Sequence, residues 1–492
     1  MDIIKLLKTK KEDFWINEGR KRALALFHDA SRRVPAYKDF LTKNKINPEK
    51  IKNWNDFKLV PLIDKKNYLK KYPLEKLCWD GTLKKPMVFC ATSGSTGEPF
   101  YFPRNNILDW QYSVILESFV KNGSYYKGKD STLVVICFGM GVWIGGVITY
   151  QAFEMLSHRD NSISIITPGI NKAEIFNALK KLAPNFKETI LVGYPPFIKD
   201  IIDEAPSHGI NFKKLNTRLI FAAEGITEKF RDYLVQKAGI KNLYLDTLNI
   251  YGSADIGAMA YETSISILIK RLALANKKLF ESIFSNIHNI PTLAQFNPLF
   301  INFESSNGEI LLTGNNTLPL IRYAIGDHGG ILSFNEMVSN LNSFNIDLSK
   351  RAKISGIIQA MHHLPFVYVY ERTDFSTNFY GAIIHAEHIK QGIENRLLGN
   401  FLTEKFTMET KNDARQNQYL EINLELKPNI KKSAFLEKTA RVAIVHSLLK
   451  RNSEYNNNYN MMREKVVPKL IFWPNNHPRY FKSGVKQKWV KK

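Results

Sequence analysis

The stretch CATSGSTGEPFYFPRN, residues 90–105, is the most informative segment of the chain. Its centre, residues 92–97, carries four hydroxyl side chains and two glycines. Hydroxyls compete for backbone hydrogen bonds and glycine costs conformational entropy, so this centre is a poor helix former. Apolar residues 87–89 before it and aromatic residues 100–102 after it predict two strands joined by a loop. Glycines let such a loop approach a ligand closely, and its N–H groups and hydroxyls can surround phosphate oxygens.

A plain surface turn is the alternative for this loop, because segments rich in serine and glycine are commonly turns. The loop also lacks the Gly-Lys-Ser/Thr ending of a P-loop, which excludes that motif. The choice between a turn and a phosphate site therefore depends on the rest of the chain.

Composition indicates a multidomain globular protein. The chain has 492 residues, of which 44% are hydrophobic and 23% charged, enough to bury a large core. Its three cysteines (Cys78, Cys90 and Cys137) show neither metal-ligand nor disulfide spacing. The N-terminus, MDIIKLLKTKKEDFW, is charged throughout and has no signal-peptide core. We therefore expect a cytoplasmic protein.

The net charge of +23 is unusual and could indicate a nucleic-acid or membrane-surface partner. However, lysines and arginines are spread over the whole chain, and we find no DNA- or RNA-binding motif. A lysine-rich, well-solvated surface is the favoured interpretation. A nucleic-acid binder stays as an alternative that steeply salt-dependent binding would reveal.

Residues 131–153 are uncharged and long enough to span a bilayer. Four glycines in their middle (139, 141, 145 and 146) favour a buried strand, a glycine loop and a packed helix instead. We predict no membrane span.

Strands and helices alternate through the first two thirds of the chain. We predict strands over residues 132–137, 162–167, 189–192, 218–222 and 242–250, and helices over 107–121, 172–182, 227–238 and 265–284. The strands end in turn-rich groups at residues 193–196, 223–225 and 251–255. This order predicts an α/β fold in which sheets are flanked by helices and ligands lie beyond the strand ends.

The chain divides after the apolar, aromatic run at residues 366–370. We expect a large N-terminal domain over residues 1–370 and a small, mobile α+β C-terminal domain over residues 371–492. Helices near residues 385–397 and 433–449 belong to the second domain.

Taken in order, the motifs resemble the AMP-forming adenylating enzymes, and among them the phenylacetate-CoA ligase branch with its capsule-biosynthesis and coenzyme F390 synthetase-like relatives. Residues 92–99 match the phosphate loop of that superfamily. Residues 139–156 resemble its glycine-rich substrate stretch, and residues 251–255 and 319–327 resemble its Tyr-Gly-x-x-Glu and Arg-Tyr-x-x-Gly-Asp motifs. The hinge motif is matched by residues 372–374, followed by Gly381. Several motifs in the right order are far more specific than any one of them.

The resemblance implies which residues bind ATP. The loop would hold the β- and γ-phosphates, and Asp327 would accept hydrogen bonds from both ribose hydroxyls. The full set of nucleotide-binding residues implied is Thr92, Ser93, Gly94, Ser95, Thr96, Gly97, Glu224, Gly225, Tyr251, Gly252, Ser253, Arg322 and Asp327. Thr96 counts also as a catalytic residue.

The resemblance likewise implies an acid pocket and a hinge. Trp143, Gly145, Gly146 and Tyr194 would line the pocket. Together with Phe197 and Phe221, these aromatic residues favour an aromatic or flat apolar acid. Asp374 and Phe375 would form the hinge, where Phe375 replaces the usual acidic residue.

Two further departures concern catalysis. Asp255 stands where the family has the glutamate that holds Mg²⁺, and aspartate is a shorter but still hard oxygen ligand. The C-terminal lysine motif carries one inserted residue, so Lys486 is the first candidate for the catalytic lysine, with Lys488 and Lys482 as alternatives.

The implied reaction has two steps. A small carboxylic acid attacks the α-phosphate of ATP to give an acyl-adenylate, and coenzyme A then displaces AMP. The cofactors would be ATP, Mg²⁺ and coenzyme A. The alternatives are transfer to an amine, a hydroxyl or a carrier-protein thiol, and a non-catalytic binding protein that keeps the fold. The assembly is open, with a homodimer among the options.

Overall fold

A computed structural model describes residues 2–85, 87–91, 100–128, 130–159, 162–284, 290–370, 376–394, 397–481 and 490. Three groups of predicted site residues lie outside these ranges: the loop Thr92–Gly97, the hinge Asp374–Phe375 and the lysines Lys482, Lys486 and Lys488.

The N-terminal lead-in is helical. Buried Trp15, Gly19, Ala23 and Phe27 recur every four residues and give its longest helix one continuous packing face. Proline at the first position starts the third helix, where the missing N–H costs nothing. The helices are α1 (Ile3–Thr9), α2 (Glu12–Arg33), α3 (Pro35–Lys43), α4 (Trp54–Phe57) and α5 (Leu74–Leu77).

The two strands predicted around the Ser/Gly loop form an antiparallel hairpin of β1 (Val88–Ala91) and β2 (Tyr101–Arg104). The N–H of Ala91 donates to the carbonyl of Val142, so the end of β1 is fixed to the glycine-rich segment that follows the next strand.

Alternating strands and helices follow, close to the predicted bounds. β3, TLVVIC, is buried on both faces, as central parallel strands are. The elements are α6 (Asn106–Lys121), β3 (Thr132–Cys137), α7 (Ile144–Ser157), β4 (Ile163–Ile166), α8 (Lys172–Lys181), β5 (Glu188–Gly193), α9 (Pro195–Glu204), β6 (Thr217–Ala222), α10 (Glu228–Ala238) and β7 (Thr247–Ser253). The uncharged segment 131–153 is thus a strand, a glycine loop and a helix. Within the described ranges, no helix is long and apolar enough to cross a membrane.

Antiparallel strands complete the sheet. They and their helices are β8 (Gly257–Tyr261), α11 (Ser264–Ala275), α12 (Lys277–Ile283), β9 (Thr292–Gln295), β10 (Ile301–Ser306), β11 (Glu309–Gly314), β12 (Leu320–Leu332), α13 (Phe334–Asn342), α14 (Leu348–Ile354) and β13 (Phe366–Tyr370). Eleven of the described strands form one sheet in the order β10-β11-β12-β13-β9-β8-β7-β6-β5-β3-β4. The pairs from β4 to β7 are parallel and those from β7 to β10 antiparallel.

Two predicted elements are corrected. The single helix expected over residues 265–284 is broken at Asn276, whose side chain accepts from the N–H of Leu279 and caps α12. The apolar spacing continues through both helices because both pack on the same cluster, so the spacing alone could not show the break. The extended run expected over 242–250 becomes a strand only from Thr247.

The C-terminal part, defined here as residues 376–481, holds a hairpin and a three-stranded sheet with helices. Its elements are β14 (Ser376–Phe379), β15 (Ala382–His385), α15 (Ala386–Ile393), β16 (Leu402–Asn412), β17 (Gln418–Leu426), α16 (Ala434–Arg451), α17 (Ser453–Met462) and β18 (Lys469–Trp473). Its hydrophobic core is continuous with one face of the large sheet, since one cluster contains Val135, Leu191 and Ile422. The predicted boundary at 370/371 adjoins residues outside the described ranges and stays a prediction.

Candidate active site

A cavity of about 390 Å³ opens beyond the carboxyl ends of β3, β5, β6 and β7. The segment after each of the first three strands and the end of β7 itself line it, which is where ligands bind in open α/β sheets. Two elements of the C-terminal part, the β14–β15 hairpin and α17, close one side.

Most of the described site residues predicted from the sequence line this cavity: Trp143, Gly145, Tyr194, Glu224, Gly225, Tyr251, Gly252, Ser253, Asp255 and Asp327. Gly146 is buried in α7 instead, where an added Cβ would meet the carbonyl oxygen of Gly139 at 2.7 Å. Phe197 and Phe221, which had supported an aromatic acid, are fully buried core residues.

Asp327 is held by Tyr251. The Tyr251 hydroxyl donates to Asp327 Oδ2 at 2.6 Å, and its ring stacks on Phe303 with centroids 6.4 Å apart. Gly326, immediately before Asp327 in β12, has a φ of +87° that favours glycine. The two motifs that carry Tyr251 and Asp327 are 76 residues apart, and the sheet brings them into contact.

Asp255 lies in a buried position on the same cavity. It accepts from the Tyr323 hydroxyl at 2.6 Å, and the Lys65 ammonium lies 3.4 Å from its Oδ2. Lys65 reaches this place because the lead-in pairs with β12: the N–H of Ile63 donates to the carbonyl of Arg322, and the N–H of Ala324 donates to the carbonyl of Ile63. The sequence analysis missed Lys65, since nothing local links it to Asp255.

Arg322 also holds the N-terminal lead-in against β12. Its guanidinium donates to the carbonyls of Lys58 and Val60 and forms an ion pair with Glu304 at 3.2 Å. Its backbone has a φ of +45°, which is uncommon for a residue with a side chain. Arg322 is thus the anchor of the segment that carries Lys65, and it is not among the residues that line the cavity.

Asp255 is the metal candidate from the sequence. In the described part of the chain, no group of three or more His, Cys, Asp or Glu residues is arranged to hold a metal ion. Mg²⁺ commonly binds through one or two carboxylates, substrate phosphates and water, so a single aspartate fits that ion in company with a nucleotide.

Glu224 joins the two parts of the chain. Its Oε1 accepts from the backbone N–H of Gly381, and its Oε2 accepts from Gln418 Nε2 at 2.9 Å. Ala223 before it has a φ of +76°, a strained conformation of the kind that gathers at functional sites. Gly381 itself has a φ of +80° and lies against the ring of Tyr194.

Three buried polar atoms on the cavity have no hydrogen-bond partner among the described residues: Trp143 Nε1, Asn249 Oδ1 and Glu454 Oε2. Buried polar groups are nearly always paired, so unpaired ones on one cavity indicate a ligand that pairs them. Sequence reasoning missed Asn249 and Glu454. Asn249 lies two residues before Tyr251, but one Asn within a strand gives no signal of its own.

Comparisons with known proteins agree with this geometry. No family model matches the chain. It is 21% identical over 246 residues to a phenylacetate-coenzyme A ligase of Thermus thermophilus, and the match covers about half (49%) of each chain. Among solved structures, it is similar to a 2-hydroxyisobutyryl-CoA ligase in complex with 2-HIB-AMP and CoA in the thioesterification state. That match has a TM-score of 0.63 and 14% identity, and covers 99% of this chain and 91% of the other. The same ligase in a postadenylation state gives a TM-score of 0.54 at 13% identity.

These matches confirm two predictions. The α/β fold is that of a solved CoA ligase over nearly the whole chain. The resemblance to the phenylacetate-CoA ligase branch, inferred above from the motifs, is found again by comparison with a curated protein.

Proposed function

We propose that this chain is an AMP-forming carboxylic acid ligase, which activates an acid with ATP and transfers the acyl group to coenzyme A. The observation that carries the proposal is the cavity on which the Asp327–Tyr251 pair, the Asp255–Lys65 pair and the aromatic residues Trp143 and Tyr194 meet. The fold and the motif order support it.

The nucleotide would bind between Asp327 and Asn249. The Asp327 carboxylate, fixed by Tyr251, accepts hydrogen bonds from the ribose hydroxyls. Asn249 is 2% exposed and uses its Nδ2 on the carbonyl of Glu224, so its unpaired Oδ1 suits the exocyclic amine of adenine. Glu224 and Gly225 border the same space.

The phosphates would lie toward Lys65 and Asp255. Lys65 supplies a positive charge that attracts phosphate oxygens, and Asp255 would hold Mg²⁺ together with those oxygens. Bound Mg²⁺ would neutralise charge on the phosphates. The loop Thr92–Gly97 stays the proposed clamp on the β- and γ-phosphates because of its motif. Lys486, or else Lys488 or Lys482, stays the proposed catalytic lysine.

The acid would bind against Trp143 and Tyr194. Tyr194 packs edge-on against Phe138 with centroids 4.9 Å apart, so the two rings together form an apolar wall of the cavity. The unpaired Trp143 Nε1–H would donate to an oxygen of the acid. With Phe197 and Phe221 in the core, the case for an aromatic acid rests on the rings of Trp143, Tyr194 and Phe138 and on the similarity to a phenylacetate-coenzyme A ligase.

Pyrophosphate exchange tests the proposal. The protein is incubated with ATP, Mg²⁺ and labelled pyrophosphate across a panel of aryl, fatty and amino acids, without coenzyme A. We expect exchange with one class of acid, and coenzyme A or an amine added afterwards identifies the acceptor. ATP binding without exchange for any acid would favour the non-catalytic alternative, and no ATP binding would contradict the proposed nucleotide site.

A further inference from the structure

We propose that Glu454 is the proton acceptor of the transfer step, the group that takes the proton from the acyl acceptor as it attacks the acyl-adenylate. This inference rests on the proposed function and adds to it a residue that the motifs do not include.

The position of Glu454 is fixed by the C-terminal part. It lies in the first turn of α17, whose N-cap Asn452 also donates to the carbonyl of Ile383 at 2.9 Å. Asn458, one turn further on, donates to the carbonyl of Tyr380 at 2.9 Å. The backbone N–H of Ile383 donates to the Glu454 carboxyl group. Helix and hairpin therefore hold Glu454 as one unit at the cavity.

The surroundings of Glu454 favour a carboxyl group that exchanges a proton. Its Oε2 is buried on the cavity with no partner in the described ranges, and none of the ion pairs there includes it. Burial raises the pKa of Glu454 to about 7. Burial, and after it the charge of Glu454, raises the pKa of Tyr194. Among the described residues, the charged groups elsewhere on the cavity are Lys65, Lys70, Glu224, Asp255 and Asp327. A base that titrates near the working pH is the most effective kind.

The chemistry assigns Glu454 to the second step. In the first step a carboxylate, which has already lost its proton, attacks phosphorus, so no proton has to be removed. In the second step the thiol sulfur forms a bond to the acyl carbon, and the bond from that carbon to the phosphate oxygen breaks. AMP leaves with the electron pair, and the thiol proton passes to Glu454 and then to solvent. An amine acceptor attacks through its neutral lone pair and loses its proton only afterwards, so it depends less on this base.

The test compares Glu454→Gln with wild type in two assays. Pyrophosphate exchange reports the first step. Single-turnover transfer to coenzyme A reports the second step. It starts from the purified adenylate of the acid that exchanges fastest and is measured over pH 5.5–9. We expect exchange to be unchanged and transfer to fall by about 100-fold or more, the range typical of general-base catalysis. The wild-type transfer rate should rise through an ionisation near pH 7 that the variant lacks.

Three controls make the result specific. Glu464→Gln changes an exposed carboxylate in the same part of the chain and should affect neither assay. Hydroxylamine attacks the adenylate as a neutral, strong nucleophile, so its rate should survive in Glu454→Gln. Repeating transfer with a primary amine in place of coenzyme A identifies which acceptor depends on Glu454.

Unchanged transfer with an unchanged pH profile would overturn the inference. So would an equal loss of exchange and transfer, because that points to a structural role. If the wild type shows no exchange with any acid, the proposed function fails first and the inference fails with it.

Discussion

Replacing Gly381 by alanine should separate the two half-reactions. An added Cβ would lie 2.4 Å from Cδ1 and Cε1 of the Tyr194 ring, where ordinary carbon contacts are about 3.5–4.0 Å. The ring cannot easily move, because Tyr194 packs edge-on against Phe138. The backbone at Gly381 also has a φ of +80°.

The cost follows from these two effects. A side chain in the left-handed region costs about 1–2 kcal/mol, and overpacking of a close contact costs about 1–3 kcal/mol. The docked arrangement, in which Gly381 donates to Glu224, should therefore lose about 2–5 kcal/mol. At 1.4 kcal/mol per factor of ten, the equilibrium constant for docking falls by about 30-fold or more.

If transfer uses this arrangement, single-turnover transfer from a supplied adenylate should slow by about 30-fold or more, and pyrophosphate exchange should change little. Gly399→Ala is the matched control, because a Cβ there meets nothing within 4 Å. The double variant with Tyr194→Ala should cost less than the sum of the single changes, since it removes the clash. Unchanged transfer in Gly381→Ala would refute this reasoning, as would an equal loss in both assays.

Four further predictions follow, three from the structure and one, for Lys486, from the C-terminal lysine motif. Asp327→Ala should abolish acid-dependent pyrophosphate exchange with little change in the thermal unfolding midpoint, and a folded variant with normal exchange would refute the ribose role. Lys65→Ala should lower exchange by about tenfold or more, since a hydrogen bond from its charged ammonium to a phosphate oxygen would be worth about 1.5–3 kcal/mol, while the lead-in variant Lys66→Ala should not. Lys486→Ala should cripple exchange but spare transfer from a supplied adenylate, and the same result for Lys488→Ala instead would move the catalytic lysine. Burial lowers the pKa of His362 to about 4, against about 6.5 when unfolded, so the unfolded chain binds the proton first as pH falls. Titration of His362 should therefore leave the free energy of unfolding constant above about pH 6.5 and lower it by about 2 kcal/mol at pH 5. Urea unfolding of wild type should show this loss, and urea unfolding of His362→Gln should not.

The sequence by itself determined the α/β class, the two strands on either side of residues 92–99 and most of the parallel strands. These features depend on local patterns: β-branched runs for strands, helical spacing for helices, and glycine or polar turns at strand ends. The carboxyl ends of parallel strands meet at one edge of a sheet. The sequence therefore also predicted that the turns after β3, β5 and β6, which are far apart along the chain, lie on one cavity.

Tertiary structure alone decided which partners those residues meet. Asp255 contacts Lys65 because the N-terminal lead-in pairs with β12, a strand that lies far from it in the sequence. The Arg322 side chain stabilises that pairing. Gly381, Ile383 and Glu454 reach the cavity only through the docking of the C-terminal part. Such contacts join segments whose local sequences carry no trace of one another, because sheet order and docking depend on the summed packing of the whole chain. The same holds for the buried oxygens of Asn249 and Glu454, because only the folded chain shows that they have no partner among the described residues.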